Sequence, residues 1–138
     1  MNGGANDDWL EGGYGRDWLV GGTGVDVFVF DRGSSEIRTT SSDTIADWNP
    51  SVDWLDMSIR GTSTNYREAS TTAASIAAAA AQAESTFTSA SVAHVFLYNP
   101  TADRGYLLSD LNNDNRFETG VVLRGSGSAG DMSYLFIV

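Results

Sequence analysis

Cysteine and lysine are both absent from this 138-residue chain. Without cysteine no disulfide can brace the fold, although small secreted domains often need one. A bound metal can take that role. There is one histidine, His94, set in the sequence Ala93-His94-Val95-Phe96, which reads as a strand. One histidine cannot supply the two that the H-E-x-x-H zinc-protease motif needs. There is no G-x-S-x-G elbow for a serine hydrolase, and no glycine-rich phosphate loop. No run is apolar for long enough to span a membrane as a helix. Met1-Asn2-Gly3-Gly4 carries neither the basic nor the apolar region of a Sec-type signal peptide.

Acidic charge is abundant. Asp and Glu number 18 against 8 bases, all Arg, for a net charge of −10. Most of the acids crowd into residues 1–56. Such a surface repels nucleic acid and anionic membranes, so neither nucleic-acid binding nor membrane insertion is expected. It attracts cations.

The glycines are not scattered. Three nine-residue units follow one another: Gly3-Gly4-Ala5-Asn6-Asp7-Asp8-Trp9-Leu10-Glu11, Gly12-Gly13-Tyr14-Gly15-Arg16-Asp17-Trp18-Leu19-Val20 and Gly21-Gly22-Thr23-Gly24-Val25-Asp26-Val27-Phe28-Val29. They fit G-G-x-G-x-D-x-U-x, where U is a large apolar residue. The second and third units match every defined position, and the first has Asn6 in place of Gly. A full chance match is on the order of one in 10⁵ per window. The pattern divides into a six-residue turn and a three-residue strand. Gly supplies the positive φ of a tight turn, and Asn tolerates it better than most residues. Asp adds a hard anionic oxygen, and carbonyl with carboxylate oxygens on a loop are calcium ligands. Leu10, Leu19 and Phe28 should point inward, and Trp9 and Trp18 outward on opposite sides.

Downstream, Asp31–Ser42 reads as a polar loop. Thr44–Met57 reads as two short strands around Asn49-Pro50, with Trp48 and Trp54 expected in the core. Thr71–Glu84 is Ala-rich and predicts a helix over 72–85, capped by Ser70 or Thr71. Strands are expected near 92–98, 105–109, 119–124 and 133–138, forming a mostly antiparallel sheet.

The nonapeptide pattern is that of the calcium-binding repeats of RTX proteins. Beyond the repeats, the segments Asp43-Thr-Ile-Ala-Asp47-Trp48 and Val52-Asp53-Trp54-Leu55-Asp56-Met57-Ser58 resemble the C-terminal domain of serralysin-type RTX exoproteins. Val95-Phe96-Leu97-Tyr98, Tyr106-Leu107-Leu108 with Asp110, and Arg116-Phe117-Glu118-Thr119-Gly120-Val121-Val122-Leu123 are similar to the C-termini of RTX surface-layer proteins. The long Ala-rich helix favours the surface-layer relatives. The resemblance implies a mostly β fold: a short calcium-binding parallel β-roll over 1–30, capped by an antiparallel β-sandwich over 31–138. Two nonapeptides make one coil of such a roll, so the first and third units share an edge.

The resemblance also implies a ligand set for Ca²⁺. One site would use Gly3, Ala5 and Asp8 with Gly22, Gly24 and Asp26. A second would use Gly12, Tyr14 and Asp17 with the loop after Phe30, where Asp31, Asp43 and Asp47 are candidates. The family's partner is the type I secretion apparatus, reached without an N-terminal signal peptide. Its export signal would lie at Leu135, Phe136, Ile137 and Val138, with Leu135 where the family has Asp. The expected protein is a non-catalytic, extracellular or cell-surface module belonging to a longer repeat array, with self-association as in surface layers as an alternative. A sugar-binding role for Trp9 or Trp18 is a further alternative.

One other stretch carries oxygen ligands at metal-loop spacing: Asp110, Asn112, Asp114, Arg116 and Glu118, at positions one, three, five, seven and nine of an EF-hand-like loop. Position six is Asn115 and not Gly, and position twelve is Val121 and not Glu. A polar hairpin turn is the other reading of this stretch.

Overall fold

A computed structural model describes residues 1–38, 40–87, 89 and 91–138. Thr39, inside the expected loop, lies outside the described residues. Ten strands form two sheets: β1 (Asn2–Ala5), β2 (Trp9–Glu11), β3 (Trp18–Thr23), β4 (Val27–Phe30), β5 (Asp43–Ile45), β6 (Trp54–Met57), β7 (Tyr66–Ser70), β8 (His94–Asn99), β9 (Arg104–Ser109) and β10 (Thr119–Arg124). Among the described residues there is one α-helix, α1 (Ile76–Thr86), between β7 and β8.

The first six strands coil. Odd strands enter one sheet in the order β1-β3-β5 and even strands the other in the order β2-β4-β6, all neighbours parallel. Two nonapeptides therefore make one coil, as the repeat phase requires. The apolar U residues Leu10, Leu19 and Phe28 are buried between the sheets, and Ile45 and Leu55 continue their rows. Phe30 and Met57 close the same core.

Two of these strands come from units that have lost their glycines. Asp8-Trp9-Leu10, Asp17-Trp18-Leu19 and Asp26-Val27-Phe28 are followed by Asp43-Thr44-Ile45 and Asp53-Trp54-Leu55, the same D-x-U triad. This phase corrects the expectation for Trp54. It occupies the outward x position, pairs with Val27 beside Trp9, and is 38% exposed. Trp48 is buried as expected and donates its indole N–H to the Asp131 carbonyl at 2.8 Å.

The roll sheet does not stop at β5. β10 pairs parallel with β5, and β9 and β8 follow antiparallel, with β7 parallel to β8 at the far edge. One seven-stranded sheet thus runs from roll into cap. Leu19, Ile45, Val121, Leu123 and Leu107 face the roll core, and Val95, Leu97, Tyr106 and Leu108 face α1.

The helix starts later than its composition predicts. Ser75, not Ser70 or Thr71, is the N-cap and accepts the Ala78 N–H at 3.2 Å. Thr71 is turned to Gln82 and to the Ala73 N–H. Its buried face is thin: Ile76, Ala79, Ala80 and Ala83. The expected strand at 133–138 is instead a 3-10 turn, Tyr134–Phe136, followed by a single bridge of Ile137 to Leu55.

Candidate calcium sites on the roll edges

Repeat positions two and four take the left-handed backbone. Gly4, Gly13 and Gly22 have φ of 102°, 82° and 101°, and Asn6, Gly15 and Gly24 have 91°, 116° and 139°. Position one is Gly for a different reason. The position-six Asp folds back over it, so a Cβ on Gly3 or Gly12 would meet Asp8 or Asp17 at 2.7 or 2.9 Å. Gly22 and Gly24 are also crowded from above by the Gly4 and Asn6 carbonyls of the preceding coil.

The position-six aspartates form ladders. On the first edge, Asp26 accepts the Asp8 N–H at 3.1 Å, and Asp53 accepts the Asp26 N–H at 3.1 Å. On the second edge, Asp43 accepts the Asp17 N–H at 2.8 Å. Each carboxylate thus holds the coil before it, through the residue of the same phase. Stacking carboxylates in this way is unfavourable when nothing neutralises them. Burial raises the Asp26 pKa, and the charges of Asp8, Asp47 and Asp7 add to it. Burial, with the charges of Asp26 and Asp47, raises Asp53. Burial, reinforced by Asp17, pushes Asp43 to about 7.

On the roll edges, two buried carboxylate oxygens have no partner among the described residues. Asp8 Oδ2 and Asp43 Oδ2 are closed off from solvent and accept no hydrogen bond. Asp8 Oδ2 converges with the Gly21 carbonyl, since both lie within 2.8 Å of the place a Gly3 Cβ would take. A hard divalent cation fits this first-edge donor set of carboxylate and carbonyl oxygens.

The expected residues fall into place unevenly. Gly3, Ala5 and Asp8 stack against Gly22, Gly24 and Asp26, in the register Gly4↔Gly22 and Ala5↔Thr23. Gly12, Tyr14 and Asp17 lie on the other edge, where Asp43 meets Asp17. Asp31 lines a small cavity there with Gly13 and Tyr14, and is exposed. Asp47 does not join them. It sits on the first edge, with its carboxylate accepting the Gly21 and Gly22 N–H groups at 2.9 Å each. The reason is coil parity: Asp47 follows β5, and every turn after an odd strand lies on the first edge.

Asp53 and Asp7 were not expected at the site. Asp53 ends the first-edge ladder, and Asp7 accepts the Val25 N–H at 2.8 Å. The D-x-U triad would have revealed Asp53. It follows Asp26 by 27 residues, half a coil more than the 18 from Asp8 to Asp26, so counting strands, and not residues, puts it on the first edge.

The Asp110 loop is organised differently. Asp110, Asp114 and Glu118 bring oxygens within 4.8 Å of one another. Asp110 is buried, and its two oxygens accept the N–H groups of Asn112, Asn113, Asp114 and Asn115. Asn112 Oδ1 accepts the Asp114 N–H, Asp114 accepts the Arg116 N–H, and Glu118 Oε1 accepts the Leu111 N–H. These carboxylates staple their own loop, and the buried Glu118 Oε2 is left without a partner among the described residues. Burial, with Asp110 and Asp114 nearby, raises the Glu118 pKa.

His94 is a buried sheet residue. Nδ1 contacts the Ser109 hydroxyl and Nε2 the Ile59 carbonyl, both at 2.8 Å, and burial lowers its pKa to about 4. At the C-terminus Leu135 is exposed and Ile137 buried, and Val138 exchanges backbone hydrogen bonds with Leu55 and Met57. Among the described residues no helix is long and apolar enough to cross a membrane.

One family model and one solved structure agree with this architecture. Residues 2–37 match the family model of the RTX calcium-binding nonapeptide repeat (4 copies). No curated protein matches the chain. Among solved structures, the AlgE6R2 subunit of the Azotobacter vinelandii mannuronan C5-epimerase aligns over 94% of this chain and 69% of its own, at 24% identity and a TM-score of 0.55. The AlgE6R3 subunit of the same enzyme aligns over 98% and 78%, at 20% identity and a TM-score of 0.43. Residues 2–37 are therefore similar to RTX calcium-binding nonapeptide repeats, and the mostly β fold that contains them is shared with the AlgE6R2 subunit.

The matched span is long enough for a fourth nonapeptide, beyond the three visible by pattern. Its trace is Gly33, in the position-four phase and with φ of 86°. Ile37, in the U phase, does not enter the roll. The preceding Glu36 bridges to Thr119, and Ile37 packs with the α1 cluster.

Proposed function

We propose that this chain is a non-catalytic module whose roll folds around calcium, one ion on each edge. Asp8 and Asp26 with the Gly3–Asn6 and Gly21–Gly24 turns would hold the first ion. Asp17 and Asp43 with the Gly12–Gly15 turn would hold the second. The ion would supply positive charge where buried carboxylates now oppose one another. The observation that carries this reading is the pair of buried, unpartnered oxygens on Asp8 and Asp43, one per edge.

The mechanism is linkage. Where calcium is scarce, the ladder carboxylates repel and the coils do not stack. Where it is abundant, binding free energy becomes folding free energy. Extracellular modules bind with a Kd of roughly 10⁻⁴–10⁻³ M, so such a switch works between cytoplasm and exterior. This supports a secreted or cell-surface setting. The finer reading is export by a type I apparatus with Leu135–Val138 in the signal, and it rests on the resemblance of the chain to RTX exoproteins. A passenger fused ahead of the chain should then reach the medium of a type I-competent cell, and lose that ability when these four residues are removed.

The test of the main reading is circular dichroism across a calcium titration. β signal should rise cooperatively with calcium, vanish with chelator, and respond weakly to magnesium. A spectrum unchanged after exhaustive chelation overturns it.

A further inference from the structure

We propose that the cleft between the N-terminus of α1 and the outer face of the seven-stranded sheet binds an oxyanion group, held by Arg16, Arg104 and Arg124. The cleft has a volume of about 170 Å³, and all three guanidinium-bearing residues line it. Its floor is one register row across four strands: Trp18 (β3), Thr44 (β5), Val122 (β10) and Tyr106 (β9). Its wall is the start of α1, Ala74 to Ile76. No acidic residue lines it.

The charge arrangement is the argument. The chain carries 18 acids and only 8 arginines, yet three of those arginines converge here. Arg124 and Arg104 are directly opposite in the β10–β9 register, on the same sheet face. Like charges at directly opposed positions destabilise a sheet unless something lies between them. Neither they nor Arg16 has a carboxylate within ion-pair distance among the described residues, where Arg32–Glu118 and Arg38–Glu36 are the ion pairs. Arg124 lies over the Trp18 ring, 5.4 Å from its centre, which orients the guanidinium across the cleft mouth. The positive end of the α1 dipole adds to the same potential.

Guanidinium groups recognise planar carboxylate and tetrahedral sulfate or phosphate through paired N–H donors. The cleft accommodates one such group and is too small for a nucleotide. The group can belong to a free ion or to a sugar whose ring lies on Trp18, which is 48% exposed.

The calcium-loaded chain tests this by NMR. Sodium sulfate is titrated against sodium chloride of equal ionic strength, following the Nε–Hε signals of the arginines. Signals of Arg16, Arg104 and Arg124 should move and saturate with sulfate alone. Arg104→Gln and Arg124→Gln should each weaken binding about tenfold, and Arg60→Gln should leave it unchanged. Glucose 6-sulfate forms a second arm. Tighter binding than sulfate, lost in Trp18→Ala, assigns the group to a sugar, and equal binding assigns it to the free ion. Identical shifts in chloride, or affinity unaffected by both variants, overturn the proposal. Thermal melting in chloride guards against a misfolded variant. Arg104→Gln, which loses no contact with Trp18, should melt no lower than the parent, and a lower midpoint would make the pair a structural feature and overturn the reading.

Discussion

Replacing Asp43 by Asn should stabilise the protein without calcium and destabilise it with calcium. Asp43 is fully buried in the second-edge ladder, accepting the Asp17 N–H through Oδ1 while Oδ2 has no partner. Burial and the Asp17 charge move its pKa from 3.8 to about 7. Unfolded, it loses its proton near 3.8, whereas folded it keeps it to about 7. Between these values the folded state binds more protons, so stability falls as pH rises through that window and levels off above it. At 1.36 kcal/mol per unit, the loss by pH 8 is on the order of 4 kcal/mol. Asn removes the charge and keeps the oxygen that accepts from Asp17. Its amide nitrogen then lies where Oδ2 has no partner, at a cost of about 1–3 kcal/mol.

The net gain for the variant in chelator at about pH 8 is therefore about 1–3 kcal/mol. Near pH 4 the parent carboxyl is protonated, the gain vanishes, and the variant becomes the less stable of the two. Saturating calcium at about pH 8 reverses the order again, because Asn offers the ion no charge. The reversal needs a site filled at about 1,000 times its Kd, which contributes about 4 kcal/mol, more than the variant's gain of about 1–3 kcal/mol. Urea unfolding followed by tryptophan fluorescence and circular dichroism reads all three conditions. Where the parent is wholly unfolded in chelator, the same prediction reads as β signal present in the variant and absent in the parent. A variant less stable than the parent in chelator at high pH would refute the reasoning, as would equal stabilisation of both by calcium.

Three further outcomes follow from the same geometry. Gly22→Ala should be far worse than Gly13→Ala, although both have positive φ. The second meets only the backbone penalty of about 1–2 kcal/mol, whereas the first also drives a Cβ into the Gly4 carbonyl, and calcium-saturated melting curves separate them. Asp26→Asn should reduce calcium affinity on the first edge while leaving the second intact, since Asp26 is linked to Asp8 and Asp53 and not to Asp17 or Asp43. Isothermal titration should then lose one of two binding events. Ser75→Ala should cost about 1 kcal/mol by removing the α1 cap, equally with and without calcium, because α1 packs on the cap strands away from the roll edges.

Much of the roll was legible because its signals are local. The glycine phase gave the turns, and the backbone confirms positive φ at Gly13 and Gly22, and at Asn6 where Gly is replaced. The inward Leu10, Leu19 and Phe28 and the outward Trp9 and Trp18 followed from the two-residue period of a strand. What depended on long-range pairing was less legible. Nothing local shows that β10 would pair with β5 and join roll and cap in one sheet. The helix start was misplaced because Ser70, Thr71 and Ser75 are all competent caps, and only the tertiary contacts of Thr71 with Gln82 select Ser75. The segment 133–138 alternates apolar residues like a strand, yet it has only the edge of β6 to pair with, and makes one bridge there.

Trp54 and Asp47 show which part of the repeat encodes the stack. The glycines solve a turn, and where turns are replaced by the 31–42 loop and the 46–53 connection only Gly33 remains of them. The D-x-U triad does not disappear, because its contacts run between coils: the Asp accepts the N–H of the Asp one coil earlier, and U packs against U. The spacing between triads can lengthen from 18 residues between Asp8 and Asp26 to 27 between Asp26 and Asp53 without disturbing either contact. A reading keyed to glycine therefore ends the roll at Phe30, places Trp54 inside and Asp47 on the wrong edge. A reading keyed to the triad carries the roll to Met57 and places all five aspartates by counting strands.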